Sequence, residues 1–517
     1  MKLAVEKIPN DFKSLYFEER ENTNRLQHEI KNKDAEIAYL EELLKLGLHH
    51  RFGKSSEKYA GMKNLFNEAE DETSDDSDEE EQSSPDKQKK QTNRGKPKRG
   101  PLPAHLPRKE LIIEIPEDQR LGCDGRPLQV IGEEVSEHLE LEPAKATVIK
   151  TIRKKYGRCS CESCIKTAPV PLRPIPKSIA GAGLLAFILI SKYCDGLPLY
   201  RLSEILQRSG IKITRGLMAS WMMRIATLLT PLYNLLEEDL LAGSYLNCDE
   251  TRVQVLKEKN KVATSQSYMW VRARAGPENP IILFEYDPTR GGDVPLRLLE
   301  GFSGFLQVDG YGGYDAVCKD GTIIRVGCWA HCRRKFDEAI KGHKNPKKAS
   351  VARKALKYIR LLHKIEDECE GKNLIEILRI RTELAKPLLE KIRKWLTDKI
   401  DEVPPKTLTG IALGYMDSQW DTLNQYIKDG RIQMTNNFAE NAIRPFVIGR
   451  KAWLFSDTVE GARASAILYS LVITAKANGL DAFKYIRYVL NEIPKAKTVD
   501  DFEALLPRQV RPILKEV

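Results

Sequence analysis

Between residues 244 and 286 the hydrophobic pattern of this chain changes period. On either side, Leu and Ile recur at three- and four-residue steps, the spacing of one helix face. Here three runs, 244–256, 267–275 and 280–286, are rich in β-branched and aromatic residues and are parted by polar or Gly/Pro turns. They read as three antiparallel strands. A helical pattern at 294–300, a fourth run at 304–308, a fifth at 322–326 and a helical stretch at 328–340 follow. A sheet set among long helices makes the chain mixed, α+β or α/β, and its 517 residues suffice for several domains.

Charge divides the remainder. From Glu68 to Asp86 there are eleven acids and no base, and from Lys87 to Lys109 nine bases and no acid. Such blocks cannot bury a core, so 61–109 reads as a disordered linker, its basic half either a solvated tether or a contact for DNA phosphates. Before it, in an N-terminal helical unit at 1–60, Leu26, Ile30, Ile37, Leu40 and Leu44 lie on a coiled-coil seam that Lys33 alone breaks. That seam suits either a second copy or the chain's own body. After the linker, the unit at 110–170 holds Cys123, Cys159, Cys161 and Cys164. Cys161-x-x-Cys164 has zinc-knuckle spacing while Cys123 stands alone, so this is a four-thiolate Zn²⁺ site or a knuckle that has lost its metal. In the helical unit 171–240, the stretches 199–208 and 214–225 flank a glycine turn at 209–211. That is the layout of a DNA-binding helix-turn-helix, and also of any two amphipathic helices. A helical insertion at 341–430, with Trp395 and Trp420 as anchors, precedes a final core stretch at 431–456, and helices occupy 457–517.

The formal charge of +10, from 83 basic and 73 acidic side chains, permits a nucleic-acid partner without requiring one. Ten cysteines, clustered as they are, fit metal binding or burial in a reducing compartment better than a disulfide scaffold. The first residues lack the apolar core of a signal peptide, and the longest apolar run, 180–190, is too short for a bilayer. A soluble, cytoplasmic protein is expected.

Three carboxylates carry the candidate chemistry. Asp249 shares a strand face with Thr251, Val253 and Val255, where an ionised group needs a cation or donors unless it begins the strand and is solvated. Asp309 ends the fourth run before Gly310, which taken alone is ordinary turn chemistry. The ribonuclease-H fold orders its elements three strands, helix, strand, helix, strand; the runs here lack only the helix between the fourth and fifth strands, and in that fold the first and fourth strands are neighbours and these two aspartates would face each other. Close carboxylates repel unless a divalent ion neutralises them, and hard oxygen ligands suit Mg²⁺ or Mn²⁺. Glu440 is the candidate third member. With Asn437 as N-cap it also fits a capping box, in which it would bond its own helix end. Arg444 shares its face one turn on, and Arg450 and Lys451 follow, placed to hold phosphates.

Several ordered motifs support that reading: Phe52-Gly53-Lys54-Ser55-Ser56-Glu57-Lys58, Arg173-Pro174-Ile175-Pro176-Lys177, Leu197-Pro198-Leu199-Tyr200-Arg201, Cys248-Asp249-Glu250-Thr251 and Val308-Asp309-Gly310-Tyr311. Cys328-Trp329-Ala330-His331-Cys332-Arg333-Arg334-Lys335-Phe336 and the stretch 435–455 complete the set. Together they resemble the bacterial DDE transposases of the insertion-sequence-66 family. The resemblance implies a ribonuclease-H-like catalytic core with Asp249, Asp309 and Glu440 as its Mg²⁺- or Mn²⁺-binding triad. It implies double-stranded DNA partners, namely terminal inverted repeats and target, together with a homodimer or higher oligomer and small accessory proteins of the same element. Nucleoid association when bound to DNA follows. Where the family's last motif usually reads Glu-Arg-Ala-Ile-Arg-Pro, this chain has Glu440-Asn441-Ala442-Ile443-Arg444-Pro445, which keeps the carboxylate and the arginine and changes one phosphate contact. The family's first cysteine pair is reduced to Cys123, with Arg120 where its partner would stand. His331 is a general base or, with Arg333, Arg334 and Lys335, a DNA contact and support of the core; the supporting role is preferred. The alternatives are a non-catalytic or domesticated DNA-binding protein, against which the three carboxylates stand, and a nuclease of the same fold.

Overall fold

The strands expected from the change of period pair in one mixed sheet. The computed structural model describes residues 10–52, 155–156, 166–167 and 172–515, apart from 209, 277–278, 344 and 346–348. Within it β1 (Tyr245–Lys257), β2 (Gln266–Arg274), β3 (Ile281–Asp287), β4 (Gly304–Gln307) and β5 (Ile323–Val326) lie in the order β3-β2-β1-β4-β5. The pairs β1–β2 and β2–β3 are antiparallel, while β1–β4 and β4–β5 are parallel. Parallel neighbours need a crossover, and the short helix α5 (Asp293–Leu298) lies on it between β3 and β4. The far half of β1 pairs with β6 (Ser456–Thr458). The linker expected at 61–109 and all four cysteines of the 110–170 unit lie outside the described residues. A two-residue antiparallel ladder, Lys155–Tyr156 with Lys166–Thr167, brackets the last three of those cysteines in sequence.

Helices α4 (Arg215–Leu241) and α11 (Val459–Ala477) pack on β3, and α11 is buried on nearly every side. Its hydroxyl groups bond the outer edge of β3. The N–H of Phe284 donates to Ser470 at 2.7 Å, that of Ile282 to Thr474 at 3.0 Å, and Thr474 donates back to the Ile282 carbonyl at 2.9 Å. An unpaired edge strand is a template for aggregation, and these two side chains occupy it. Before α4 comes α3 (Leu199–Arg208), joined through Gly210 at φ +78°, with Thr214 capping α4 by accepting the Leu217 N–H at 3.3 Å. Both helices and the turn between them are present. Yet α4 buries Met218, Trp221, Met222 and Ile225 in the core under the sheet, leaving Arg215, Leu217 and Arg224 exposed near its start.

A second core is built mainly by the helices that follow β5. Trp329 and Phe336 of α6 (Trp329–Gly342) pack with Ile359 of α7 (Ser350–Cys369), Trp395 of α8 (Lys386–Ile400) and Met416 of α9 (Leu408–Ser418). Trp420 meets Trp329 edge-to-face with centroids 6.2 Å apart, so both expected anchors pack as tryptophans at a helix junction should. Arg381, 3% exposed, binds Glu366 through two nitrogens and donates to the carbonyls of Tyr426, Asp429 and Ile432.

The N-terminal helix α1 (Asn10–Phe52) leans on this second core with Leu46; Lys45 donates to the His343 carbonyl and Glu42 accepts the Leu408 N–H. Leu26, Ile30, Ile37, Leu40 and Leu44 stay exposed. The chain's own body is therefore covered by a different face of α1 than the seam. Among the described residues no helix is long and apolar enough to cross a membrane.

Candidate active site

Asn247 of β1 stands opposite Gln307 of β4 in the parallel ladder, and Asp249 and Asp309 each lie two residues further along. Neighbouring parallel strands thus deliver both carboxylates to one end of the sheet. Glu440 arrives on α10 (Asn437–Trp453), which packs across β1 and β2. The Asp249 carboxyl is pushed up to about 8, first by burial and then by Glu250, with Glu440 and Asp309 adding to the same effect; the Glu250 N–H, donating at 2.9 Å, opposes it. Asp309 accepts the Tyr311 N–H at 2.9 Å in an Asx turn. Gly310 is needed for space, because a Cβ there would lie 2.6 Å from the ring of Tyr415 on α9.

The capping box expected at Glu440 does not form. Asn437 is the first helical residue, Asn436 is the cap, and neither gives a side-chain cap bond. Asn436 is instead drawn into a buried amide network. Its Nδ2 donates to the Cys248 carbonyl at 2.9 Å and its Oδ1 accepts from Asn247 at 2.9 Å. Asn247 also donates to Gln307 at 3.2 Å, and Gln307 donates to the carbonyls of Gln433 and Gly327. Tyr245 donates to Gln307 and accepts the Gln433 N–H. Asn247, Gln307 and Asn436 are at most 1% exposed. Asn247 Oδ1 has no partner in this network, but its remaining bonds join both aspartate strands to the start of the Glu440 helix and rigidify what they hold.

Around Glu440 stand three groups from the start of α6. Arg334 lies 3.6 Å from one carboxylate oxygen and His331 Nδ1 3.7 Å from the other. The Cys328 sulfur accepts the Asn436 N–H at 3.1 Å, and burial pushes its thiol up to about 11 despite that donor. Burial holds His331 below the usual imidazole range, with Arg334 and Lys335 acting the same way and Glu440 and Asp309 opposing. That direction favours the neutral imidazole, which suits a ligand or acceptor better than a phosphate clamp.

A family model described as the IS66 family of transposases matches residues 177–464. The chain belongs to the IS66 transposase family. Its members are in general enzymes that cut and transfer DNA. Further matches cover 470–507 (IS66 C-terminal element), 39–111 (transposase C of IS166 homeodomain) and 122–164 (zinc-finger binding domain of transposase IS66). The last spans Cys123, Cys159, Cys161 and Cys164. Three similar proteins from Sinorhizobium fredii bear only the name "uncharacterized protein". They are y4qI, 34% identical across 81% of this chain and 79% of its own length; y4jD, 31% across 79% and 81%; and y4hP, 30% across 77% and 75%.

The basic residues expected to hold DNA differ in their surroundings. Arg450 donates to Thr251 at 3.1 Å and to the Arg252 carbonyl, clamping α10 to β1. Lys451 is exposed, Arg444 is half-buried one turn beyond Glu440, and Arg333 sits on α6 beside Arg334. Sequence reasoning missed Glu250. It occupies the opposite face from Asp249, held by Arg290 at 2.5 Å and the Tyr314 hydroxyl at 2.8 Å, and burial raises its carboxyl above the ordinary range against both partners. The alternation of a strand hides it, since it points away from the other two acids. Arg325, which donates to the carbonyls of Asp309 and Tyr311, also carried no local signal.

Proposed function

We propose that this chain is an active DDE transposase with a ribonuclease-H-like core, in which Asp249, Asp309 and Glu440 hold divalent ions for DNA strand cleavage and strand transfer. The observation that carries the reading is the register of β1 and β4, which sets Asp249 and Asp309 on neighbouring parallel strands, where the Asp249 carboxyl is raised to about 8 by burial, then by Glu250, with Glu440 and Asp309 adding less. A site that disfavours its own charge is one that a cation completes. All the donors are carboxylate oxygens, which fit Mg²⁺ or Mn²⁺. The sheet order β3-β2-β1-β4-β5, antiparallel then parallel, supports the core assignment.

Asp249, Asp309 and Glu440 would hold such ions, which would supply the positive charge that an in-line displacement at phosphorus needs at its attacking and leaving oxygens. The protein's own part is positioning. One oxygen of Asp249 and one of Asp309 are tied to backbone N–H groups, which orients the two carboxylates. The amide network fixes the separation of their strands and the entry of α10. Arg334 at the rim is placed to meet a backbone phosphate, and Lys451 lies further along α10. No covalent protein intermediate is needed. The exposed seam of α1 is read as pairing two copies, so that two element ends are handled together.

Labelled terminal-repeat DNA incubated with Mg²⁺ or Mn²⁺ tests the reading. Wild type should cleave and join, while Asp249→Asn, Asp309→Asn and Glu440→Gln should bind DNA without cleaving it. Normal cleavage by all three variants would remove the triad.

A further inference from the structure

Two buried polar atoms near the carboxylates face each other. His331 Nδ1 and Glu440 Oε1 are both shielded from solvent, and neither has a hydrogen-bond partner. Their separation of 3.7 Å is too long for a hydrogen bond. A facing pair of unsatisfied buried atoms needs an explanation, and a bridging cation supplies one. The third wall of the space is the Cys328 sulfur, and the three ligand atoms all lie within 4.8 Å of one another.

We propose that Cys328, His331 and Glu440 form a binding site for a borderline divalent cation of the Zn²⁺ type, distinct in chemistry from the all-carboxylate pocket beside it. Thiolate, imidazole and carboxylate are the donor set of such ions, whereas Mg²⁺ and Mn²⁺ avoid sulfur. Ligand bonds of about 2.0–2.1 Å in a tetrahedron separate two ligand atoms by about 3.3 Å, so the His331–Glu440 gap is close to the edge of a coordination tetrahedron. Cys328 and His331 have the spacing Cys-x-x-His at the start of α6, which puts both on one turn. The sulfur already receives the Asn436 N–H, an outer bond of the kind that supports a metal thiolate. Three protein ligands leave the fourth position open. The site shares Glu440 with the proposed catalytic triad, so an ion here would hold one oxygen of that carboxylate and fasten α10 to α6. Binding releases the thiol proton to solvent and involves no redox change.

The test is Co²⁺ titration of the chelator-treated full chain without DNA. The chain carries Cys123→Ser, Cys159→Ser, Cys161→Ser and Cys164→Ser together, so that the cysteine unit cannot contribute. One equivalent of Co²⁺ with a sulfur-to-cobalt charge-transfer band in the near ultraviolet is expected. Adding Cys328→Ser should abolish the band and weaken binding by roughly 100-fold, with an unchanged melting profile showing that the fold survives. His331→Ala should weaken binding at least about tenfold and keep a thiolate band. No band in the parent chain, or a band that survives Cys328→Ser, overturns the proposal. Asp249→Asn separates the two readings, because it should lose strand cleavage and keep the cobalt spectrum. Cleavage retained in that variant removes the catalytic assignment alone.

Discussion

Neutralising Asp249 should stabilise the protein at alkaline pH whenever divalent ions are absent. Its carboxyl titrates near 3.8 in an unfolded chain and at about 8 in the folded one. Between those values the folded state holds a proton that the unfolded state has released. Stability therefore falls as pH rises through the window, and the loss is complete above about pH 8. At about 1.4 kcal/mol per tenfold change in the protonation equilibrium, the ceiling is about 6 kcal/mol. Part of the residue reaches solvent, and screening there brings the expected loss to about 2–3 kcal/mol. Asp249→Asn is neutral at every pH, so its advantage over wild type should be near zero at about pH 4 and about 2–3 kcal/mol at about pH 9. Urea unfolding with chelator present, followed by tryptophan fluorescence across that range, measures it. Millimolar Mg²⁺ should then raise the stability of wild type at alkaline pH and leave the variant where it was, because ligands stabilise the state that binds them. Parallel pH profiles for the two proteins without ions would refute the burial argument. A wild type indifferent to Mg²⁺ would refute the assignment of this carboxylate as an ion ligand.

Asn436→Ala strands the Cys248 carbonyl and one donor of Asn247, and should cost about 2–4 kcal/mol in the same unfolding assay while raising the Mg²⁺ needed for half-maximal cleavage. Gly310→Ala drives a Cβ into the Tyr415 ring for a loss of about 1–3 kcal/mol; combining it with Tyr415→Ala should recover part of that loss, and strict additivity would count against the close approach. Arg381→Met leaves Glu366 without its buried partner and should cost about 3–5 kcal/mol, against less than about 1 kcal/mol for Arg393→Met, whose pair with Asp417 is exposed. Ile37→Glu with Leu44→Glu changes two exposed positions on α1, so the melting temperature should hold while light scattering reports a shift from dimer to monomer.

The strands, their bounds and the helices of the insertion were legible in the sequence because each depends on local period. The packing of α4 was half legible: the glycine turn and Thr214 cap mark its start, but nothing local says that Trp221 and Ile225 enter the core under the sheet rather than stand clear of it. The two aspartates could be paired once the order of elements suggested neighbouring strands, and β1 does lie beside β4. Glu440 shows where local pattern misleads. Asn436 and Asn437 are both good caps by propensity, and the glutamate that follows invites a capping box. Tertiary demand wins, because the buried amides of Asn247 and Gln307 need partners and take the Asn436 side chain, moving the helix start by one residue. Glu250, Arg325 and Tyr415 were invisible for a related reason: each acts across segments far apart in sequence.

The position of the third carboxylate follows from the insertion rather than from the sheet alone. Helix α6 turns two faces to two tasks, with Trp329, Cys332 and Phe336 in the insertion's core and His331 and Arg334 beside Glu440. The chain returning from the insertion is held to the same helix, since the Trp329 N–H donates to the Met434 carbonyl and the Trp329 indole to that of Leu423. Ile432 and Met434 are buried in the insertion's core just before Asn436 joins the amide network, and Arg381 holds the Ile432 carbonyl. Removing the helices of the insertion would therefore release both ends of the segment that aims α10, even though none of their residues is a candidate ligand. The helical segment between β5 and α10 packs on the same helix as His331 and so is part of the scaffold that holds Glu440 beside that histidine. That accounts for so long an interruption being tolerated between Asp309 and Glu440.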